Sequence, residues 1–280
     1  TGTVSTLDDG KQTISQLGTG TVSTMSGGTQ YVNGGTGTVS TMSVGGQDIS
    51  GGVGIIAVMS GGQQGIKSGG TGIVSTMVTG VQAIFNGEGT VSLMSGDGYQ
   101  YIDSGGTGTV VTMNSGWQNI ASGGAGTVST MSGGQQTVNS SGTGTVNIMN
   151  SGAQEISGGV GIIVAMSGGT QTVSNMGTGI VSTLNGEQRI SSGGMGIVST
   201  LSGGLQDIDY GGTGTVDVIE DGGLQMISSG GTGTVSTMLD GRQIMIDGMG
   251  MIDTMSGGKQ SISGGTGMID TMFGGTQVMS

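Results

Sequence analysis

The side chains of this chain that could do chemistry are carboxylates, because its 280 residues contain no His and no Cys. Nucleophile–base pairs and most transition-metal sites depend on those two residue types. The nearest approach to a catalytic pair is Asp207 and Asp209 in the segment QDIDYGG, which lie two residues apart and so on one face of a strand. Neighbouring segments do not repeat the pair, and Arg189 is the one basic residue nearby. We predict no enzymatic activity and no cofactor.

The acidic residues also raise the question of a cation site. Nine of the seventeen acids lie between Asp207 and Asp270, with Glu220 and Asp221 adjacent. Calcium-binding β-rolls repeat an Asp every nine residues or so, and that period is missing here. We therefore interpret these acids as a solvated face and predict no metal site.

The charge balance argues against nucleic acid as a partner. The net charge is −12, and phosphate binding needs clustered basic side chains. The five basic residues form no patch in the sequence: Lys11, Lys67, Arg189, Arg242 and Lys259.

A tandem repeat organises the whole chain. Aligned on the phrase TGTV, sixteen units begin at residues 1, 19, 36, 53, 71, 88, 107, 125, 143, 160, 178, 195, 213, 232, 249 and 266. Counted from its first residue, every unit has Gly at position 2, Val or Ile at position 4, and Met, Leu or Ile at position 7. A Gln follows in every unit, and two residues after it comes Ile, Val or Met.

Each unit predicts two short strands, such as GTVSTM and TQYV, separated by an SGG turn and closed by a second GG. We assign Gly20 to a corner, where Gly tolerates a positive φ or a close backbone approach. So short a unit cannot fold alone, but stacked units can bury a shared core. We predict an all-β fold, a right-handed parallel β-helix (β-solenoid) of about sixteen coils with 17–19 residues each. Residues 1–280 would form a single repeat domain that is part of a longer array.

The inward columns follow from which positions accept charge. Position 5 holds Ser but also Asp, so it faces water, and position 4 and the apolar residue after Gln must face inward. Alternation would then turn position 7 outward, yet a stripe of exposed Met is unusual in a soluble protein. We infer a bend or bulge between positions 4 and 7 that returns Met to a narrow core. The predicted core ladder includes Val22, Val39, Ile56, Met25, Met42, Met59, Val32, Ile49 and Ile66.

Positions 1 and 3 are both Thr in seven units, the Thr-x-Thr pattern of ice-binding solenoids. Ile or Met interrupts that column at residues 55, 73, 162, 180, 197, 251 and 268. An ice-matching surface tolerates few such gaps, so we keep an ice-binding solenoid as a lesser alternative.

The repeat resembles a known family. The phrases SGGTQYVNGGTGTV at 26–39, SGGQQTVNSSGTGTV at 132–146 and SGGTQTVSNMGTGIV at 167–181 are similar to the AIDA-type repeat of self-associating bacterial autotransporter adhesins. The resemblance implies a passenger segment that is exported across the outer membrane and displayed on the bacterial cell surface. There it would act as a structural rod that mediates adhesion, autoaggregation or biofilm formation. Its partners would be like chains and a host-cell surface or matrix. The alternative is a self-assembling extracellular filament or matrix subunit.

The resemblance also implies a glycosyltransferase as a partner, since some such passengers are heptosylated on regularly spaced Ser and Thr. Position 5 supplies a matching outward column: Ser5, Ser23, Ser40, Ser75, Ser92, Ser129, Ser182, Ser199 and Ser236. The competing interpretation is that these serines only satisfy a solvated strand face.

Overall fold

The computed structural model describes residues 1–103 and 105–280. These residues form strands and turns, and each repeat unit is one coil of a parallel β-solenoid. The predicted all-β solenoid with about sixteen coils is confirmed, while the handedness of its winding stays a prediction. Within the described part of the chain, no helix has the length and apolar character needed to cross a membrane.

The coils divide into two compact units, Thr1–Gly144 and Thr145–Ser280. The predicted grouping of residues 1–280 in one repeat domain stays a prediction. The strands of the first unit are β1 (Gly2–Leu7), β2 (Lys11–Ile14), β3 (Thr19–Met25), β4 (Thr29–Asn33), β5 (Thr36–Met42), β6 (Gly46–Ser50), β7 (Val53–Lys67), β8 (Thr71–Phe85), β9 (Glu88–Met94), β10 (Tyr99–Asp103), β11 (Thr107–Met113), β12 (Trp117–Ile120) and β13 (Ala125–Val138).

In the second unit longer and shorter strands alternate after its first strand, which, like β7, β8 and β13, runs through both predicted strands of its coil. Its strands are β14 (Thr143–Ser157), which starts at the last two residues of the first unit, β15 (Val160–Met166), β16 (Thr170–Ser174), β17 (Thr178–Leu184), β18 (Glu187–Ile190), β19 (Met195–Ser202), β20 (Leu205–Ile208), β21 (Thr213–Glu220), β22 (Leu224–Ser228), β23 (Thr232–Met238), β24 (Arg242–Ile246), β25 (Gly248–Met255), β26 (Lys259–Ile262), β27 (Gly265–Met272) and β28 (Thr276–Met279).

The register between coils places each residue against its repeat counterpart. Strand β3 pairs in parallel with β5, so that Val22 faces Val39 and Met25 faces Met42. The second strands pair in the same way, with Val32 of β4 against Ile49 of β6. Identical apolar columns therefore stack along the axis of each unit, which is the burial that one coil cannot achieve alone.

The Met column lies inside. All nine residues of the predicted core ladder are buried: Val22, Val39, Ile56, Met25, Met42, Met59, Val32, Ile49 and Ile66. In β3 the side chains at positions 4 and 7 point inward, as does Gly at position 2, and the two side chains at positions 5 and 6 both point outward. The backbone pairing passes from Val22–Val39 directly to Thr24–Thr41, so Ser23 marks the bend. Two outward residues in succession reset the alternation and bring Met25 into the core.

Gly20 does not form a corner, contrary to our assignment. It is the second residue of β3 and is buried. A Cβ atom there would lie 2.5 Å from Ile14 Cδ1 and 2.8 Å from Gln12 Oε1 of the preceding coil. Position 2 is therefore Gly because the core has no room for a side chain. Corners use other glycines, such as Gly28 with a φ of 68°.

Candidate functional site

A buried ladder of amide side chains keeps neighbouring coils in register, and this register aligns the outward residues along the axis of each unit. In the first unit, Nε2 of each Gln donates to Oε1 of the Gln one coil earlier, at 2.6–2.7 Å from Gln30 to Gln136. The same bonds run from Gln171 to Gln277 in the second unit, at 2.6–2.8 Å. A one-residue slip of any coil would break two of these bonds inside the core, where unpaired polar groups are costly. The outward columns therefore stay in line.

The sequence analysis missed this ladder, although the signal was present. Gln lies two residues before an inward Ile, Val or Met in every unit, and residues two apart on a strand share a face. From Gln30 to Gln260, the ladder side chains are fully buried. A polar residue on an inward column is compatible with a core only if it is hydrogen-bonded, and the Gln amide can donate to one neighbour while it accepts from the other.

The outer side of the first strand is the candidate functional surface. We call the outward residues at positions 1, 3, 5 and 6 of each coil the first-strand surface. Among the described residues of the first unit, Glu88 is the one charged side chain on it. In the second unit it carries Asp217, Asp253 and Asp270. The remaining positions are Thr, Ser, Asn and apolar side chains, so most of the net charge of −12 lies on the turns and on the second strand.

The predicted glycosylation column belongs to this surface. Seven of its serines are exposed, namely Ser5, Ser23, Ser40, Ser75, Ser92, Ser182 and Ser199, and two are partly exposed, Ser129 and Ser236. These serines lie at the bend, and the register of backbone pairs between neighbouring coils skips them. Their modification by a glycosyltransferase stays a prediction.

Aliphatic residues interrupt the threonine columns and are the register partners of threonines on neighbouring coils. Along position 3 of the first unit, Thr38 pairs with Ile55, Ile55 with Ile73, and Ile73 with Thr90. A solvent-facing array of hydroxyl and methyl groups is thus divided by two branched apolar side chains. This spacing leaves ice binding as the weaker alternative.

Asp207 and Asp209 lie on the outer side of the second strand of their coil. Asp209 Oδ1 accepts hydrogen bonds from the Tyr210 backbone N–H at 2.8 Å and from Ser228 Oγ at 3.2 Å. Arg189 is the register partner of Asp207, but its guanidinium binds the two carboxylate oxygens of Glu187 at 2.7 and 3.0 Å. The bond to Glu187 is the largest effect that raises the pKa of Arg189.

The environment of Asp207 favours its protonated form. Burial raises the pKa of Asp207 most, and the carboxylates of Asp209 and Glu187 raise it further, while Arg189 lowers it. Among the described residues no three acidic, His or Cys side chains are grouped to hold a metal ion. The absence of enzymatic activity stays a prediction.

A second surface feature was not predicted at all. Four of the seven aromatic residues of the chain stand on three successive coils of the first unit, on the outer side of the second strand. We call Phe85, Tyr99, Tyr101 and Trp117 the aromatic cluster. Composition hides it, since aromatic residues make up only 2% of the chain. Aligning the repeats on Gln would reveal it, because Tyr99 and Trp117 both directly precede that residue.

The fold defines the class of this protein as a parallel β-solenoid of tandem coils. No protein-family model matches the chain, and no curated protein matches it. The AIDA-type resemblance of the repeat therefore stays a prediction.

Proposed function

We propose that this chain is a structural and adhesive repeat region of a bacterial surface protein, which binds like chains through its first-strand surface. The charge-poor first-strand surface is the observation that carries the proposal. Two chains of net charge −12 repel each other, and they approach most closely where charge is lowest. In the first unit that surface contains one carboxylate, Glu88, among the described residues of eight coils.

The repeat supplies the affinity. The Gln ladder holds equivalent positions of this surface, most of them Ser or Thr in the first unit, at a constant interval of about 4.8 Å along the axis of a unit. A hydrogen bond or methyl contact that is weak at one coil recurs at the next, and once the first contact forms the others become intramolecular. Many weak contacts in register can hold two cells together while each contact exchanges freely.

A bead-clustering assay tests the proposal. Microspheres coated with the purified chain should aggregate, and added salt should strengthen aggregation because it screens the repulsion between negatively charged chains. The variant Ser23→Glu/Ser75→Glu places two carboxylates on the first-strand surface and should abolish clustering. The matched control Ser15→Glu/Ser50→Glu adds the same charge to exposed serines at the end of the second strand and should cluster like the wild type.

Dispersed wild-type beads at every salt concentration would refute self-association, and so would equal clustering by the two variants. Electron microscopy of the free chain distinguishes the filament alternative. End-to-end fibres from the soluble chain would favour a filament or matrix subunit, whereas separate particles that cluster only when attached to beads favour the adhesin.

A further inference from the structure

The aromatic cluster brings together more aromatic rings than a solvated strand face requires. Tyr99 and Tyr101 have ring centroids 6.5 Å apart with their planes within 10°, and Phe85 lies 5.9 Å from Tyr101. Trp117 is the register partner of Tyr99 on the next coil and is 41% exposed. Three of the rings are thus in contact across two coils, and Trp117 stands in register with them on the third.

The rings are held firmly. Ala83 lies on the outward column directly beside Tyr101, yet it is only 5% exposed, so larger neighbouring side chains cover it. Tyr101 also donates its hydroxyl to Asp103 Oδ2 at 3.1 Å. Burial, and after it this hydrogen bond, raises the pKa of Tyr101. A surface whose rings are already ordered loses little side-chain entropy when a ligand binds.

Polar groups of both kinds border the rings. Asp103 and Lys67 flank Phe85 on the neighbouring coils, so the border carries one negative and one positive charge. Asn119 stands against Tyr101 on the next coil, where its Oδ1 accepts a hydrogen bond from Asn139 Nδ2 at 2.8 Å. These register partners of the rings combine acceptors and donors, and the two charged ones, Lys67 and Asp103, have opposite charge.

We propose that the aromatic cluster is a binding site for a neutral glycan. Pyranose rings have apolar C–H faces that pack on aromatic rings and equatorial hydroxyls that bond to carboxylates and amides at the rim. The balance of Lys67 and Asp103 suits an uncharged ligand, and the net charge of −12 repels polyanions. Nucleic acid bases also stack on aromatic rings, but their phosphates need basic side chains that this face lacks apart from Lys67.

This site is separate from the first-strand surface. It lies on the outer side of the second strand, and it binds sugar whether or not like chains associate. Loss of bead clustering in the Ser23→Glu/Ser75→Glu variant therefore leaves glycan binding intact, and loss of the aromatic cluster leaves clustering intact.

The single tryptophan of the chain is a built-in reporter, because Trp117 belongs to the site. We would titrate the full chain with cellohexaose, laminarihexaose, maltohexaose, xylohexaose and chitohexaose, and with polygalacturonate as the anionic control. At least one neutral oligosaccharide should change the Trp117 emission with a saturable isotherm, and polygalacturonate should not. Tyr101→Ala should weaken binding by about tenfold or more through lost stacking.

Tyr31→Ala is the matched control, since Tyr31 occupies the same outward column as Tyr101 but lies on the second coil, where Lys11 stands 6.0 Å from its ring centroid. It should bind like the wild type. Circular dichroism confirms that both variants are folded. Isotherms that are flat for all five neutral sugars would overturn the proposal, as would equal binding by Tyr101→Ala and wild type. An emission change that depends on protein concentration without sugar would also overturn it and assign the cluster to contact between copies of the chain.

Discussion

The buried amide ladder makes a quantitative prediction at Gln118, in the seventh of the eight coils of the first unit. Its Nε2 donates to Gln100 Oε1 and its Oε1 accepts from Gln136 Nε2, both at 2.6 Å. Replacing Gln118 with Leu keeps the volume but removes the ladder partner of Gln100 Oε1 and of Gln136 Nε2 in the core. Each lost partner costs about 1–3 kcal/mol. Burial of the Leu side chain offsets about 1.5–3 kcal/mol, so the net loss of stability should be about 2 kcal/mol.

A double variant provides the sharper test. In Gln100→Leu/Gln118→Leu the groups that lose their ladder partner are Gln82 Oε1 and Gln136 Nε2, which is again one acceptor and one donor. The double change should therefore cost less than the single one, because the bond between the two exchanged residues is lost only once and the second buried Leu adds about 1.5–3 kcal/mol of stabilisation. The control Gln12→Leu removes a partly exposed member of the ladder and should cost less, because water can replace its partners.

Urea unfolding followed by Trp117 fluorescence measures these losses beside the substituted residue. Two results would refute the reasoning. The first is a Gln118→Leu chain that is as stable as the wild type, which would mean that the hydrogen bonds contribute no more than apolar packing. The second is a double variant with twice the single loss, which would mean that each amide acts independently.

Three further predictions use the same unfolding assay. Gly37→Ala should destabilise the chain by about 1–3 kcal/mol, since its Cβ would lie 2.5 Å from Gln30 Oε1 and Val32 Cγ2; an unchanged midpoint would show that the core can adjust. Met176→Gly should stabilise by about 1 kcal/mol, because this exposed residue has a φ of 62° in a turn that Gly adopts without strain; a loss of stability would reveal a contact made by the thioether. Asp207→Asn should raise the midpoint at neutral pH and leave it unchanged in acid. The pKa of Asp207 is raised in the folded state, so ionisation of this carboxyl destabilises the fold. This destabilisation is absent at a pH below the pKa of Asp207 in the unfolded chain and reaches its full value above the pKa in the folded chain. The gain is small because the carboxyl is only partly buried, and equal gains at both pH values would contradict it.

The repeat in the sequence predicted the fold well because each column averages sixteen observations. Position 4 and the apolar residue after Gln were predicted to face inward because neighbouring columns accept charged residues. The bend at Ser23 followed from the conflict between alternation and the apolar Met25 column. Gly20 was misassigned because an invariant Gly signals either a special φ or a lack of space, and the two differ only in the packing of the coil before it.

The outward surfaces were harder to predict, because their features differ from coil to coil. The aromatic cluster depends on which coils become neighbours and on the direction of each side chain, and averaging over repeats removes that information. Trp117 is the single Trp among the sixteen residues that directly precede the Gln of each unit. The pairing of Arg189 with Glu187 rather than Asp207 is likewise a choice between a carboxylate in the same strand and one on the neighbouring coil, which only the side-chain geometry decides.

The variable spacing of the repeats has a genetic consequence. Coils of 17, 18 and 19 residues coexist because the extra residues sit in turns, as at Ser68 and Gly69, which both adopt left-handed backbone angles and close with a hydrogen bond from Gly70 to Lys67. A crossover between equivalent codons of two repeats therefore adds or deletes whole coils and leaves every remaining column in phase. Recombination within such a gene would lengthen or shorten the protein in steps of one coil, so the reach of the molecule can evolve without a new fold.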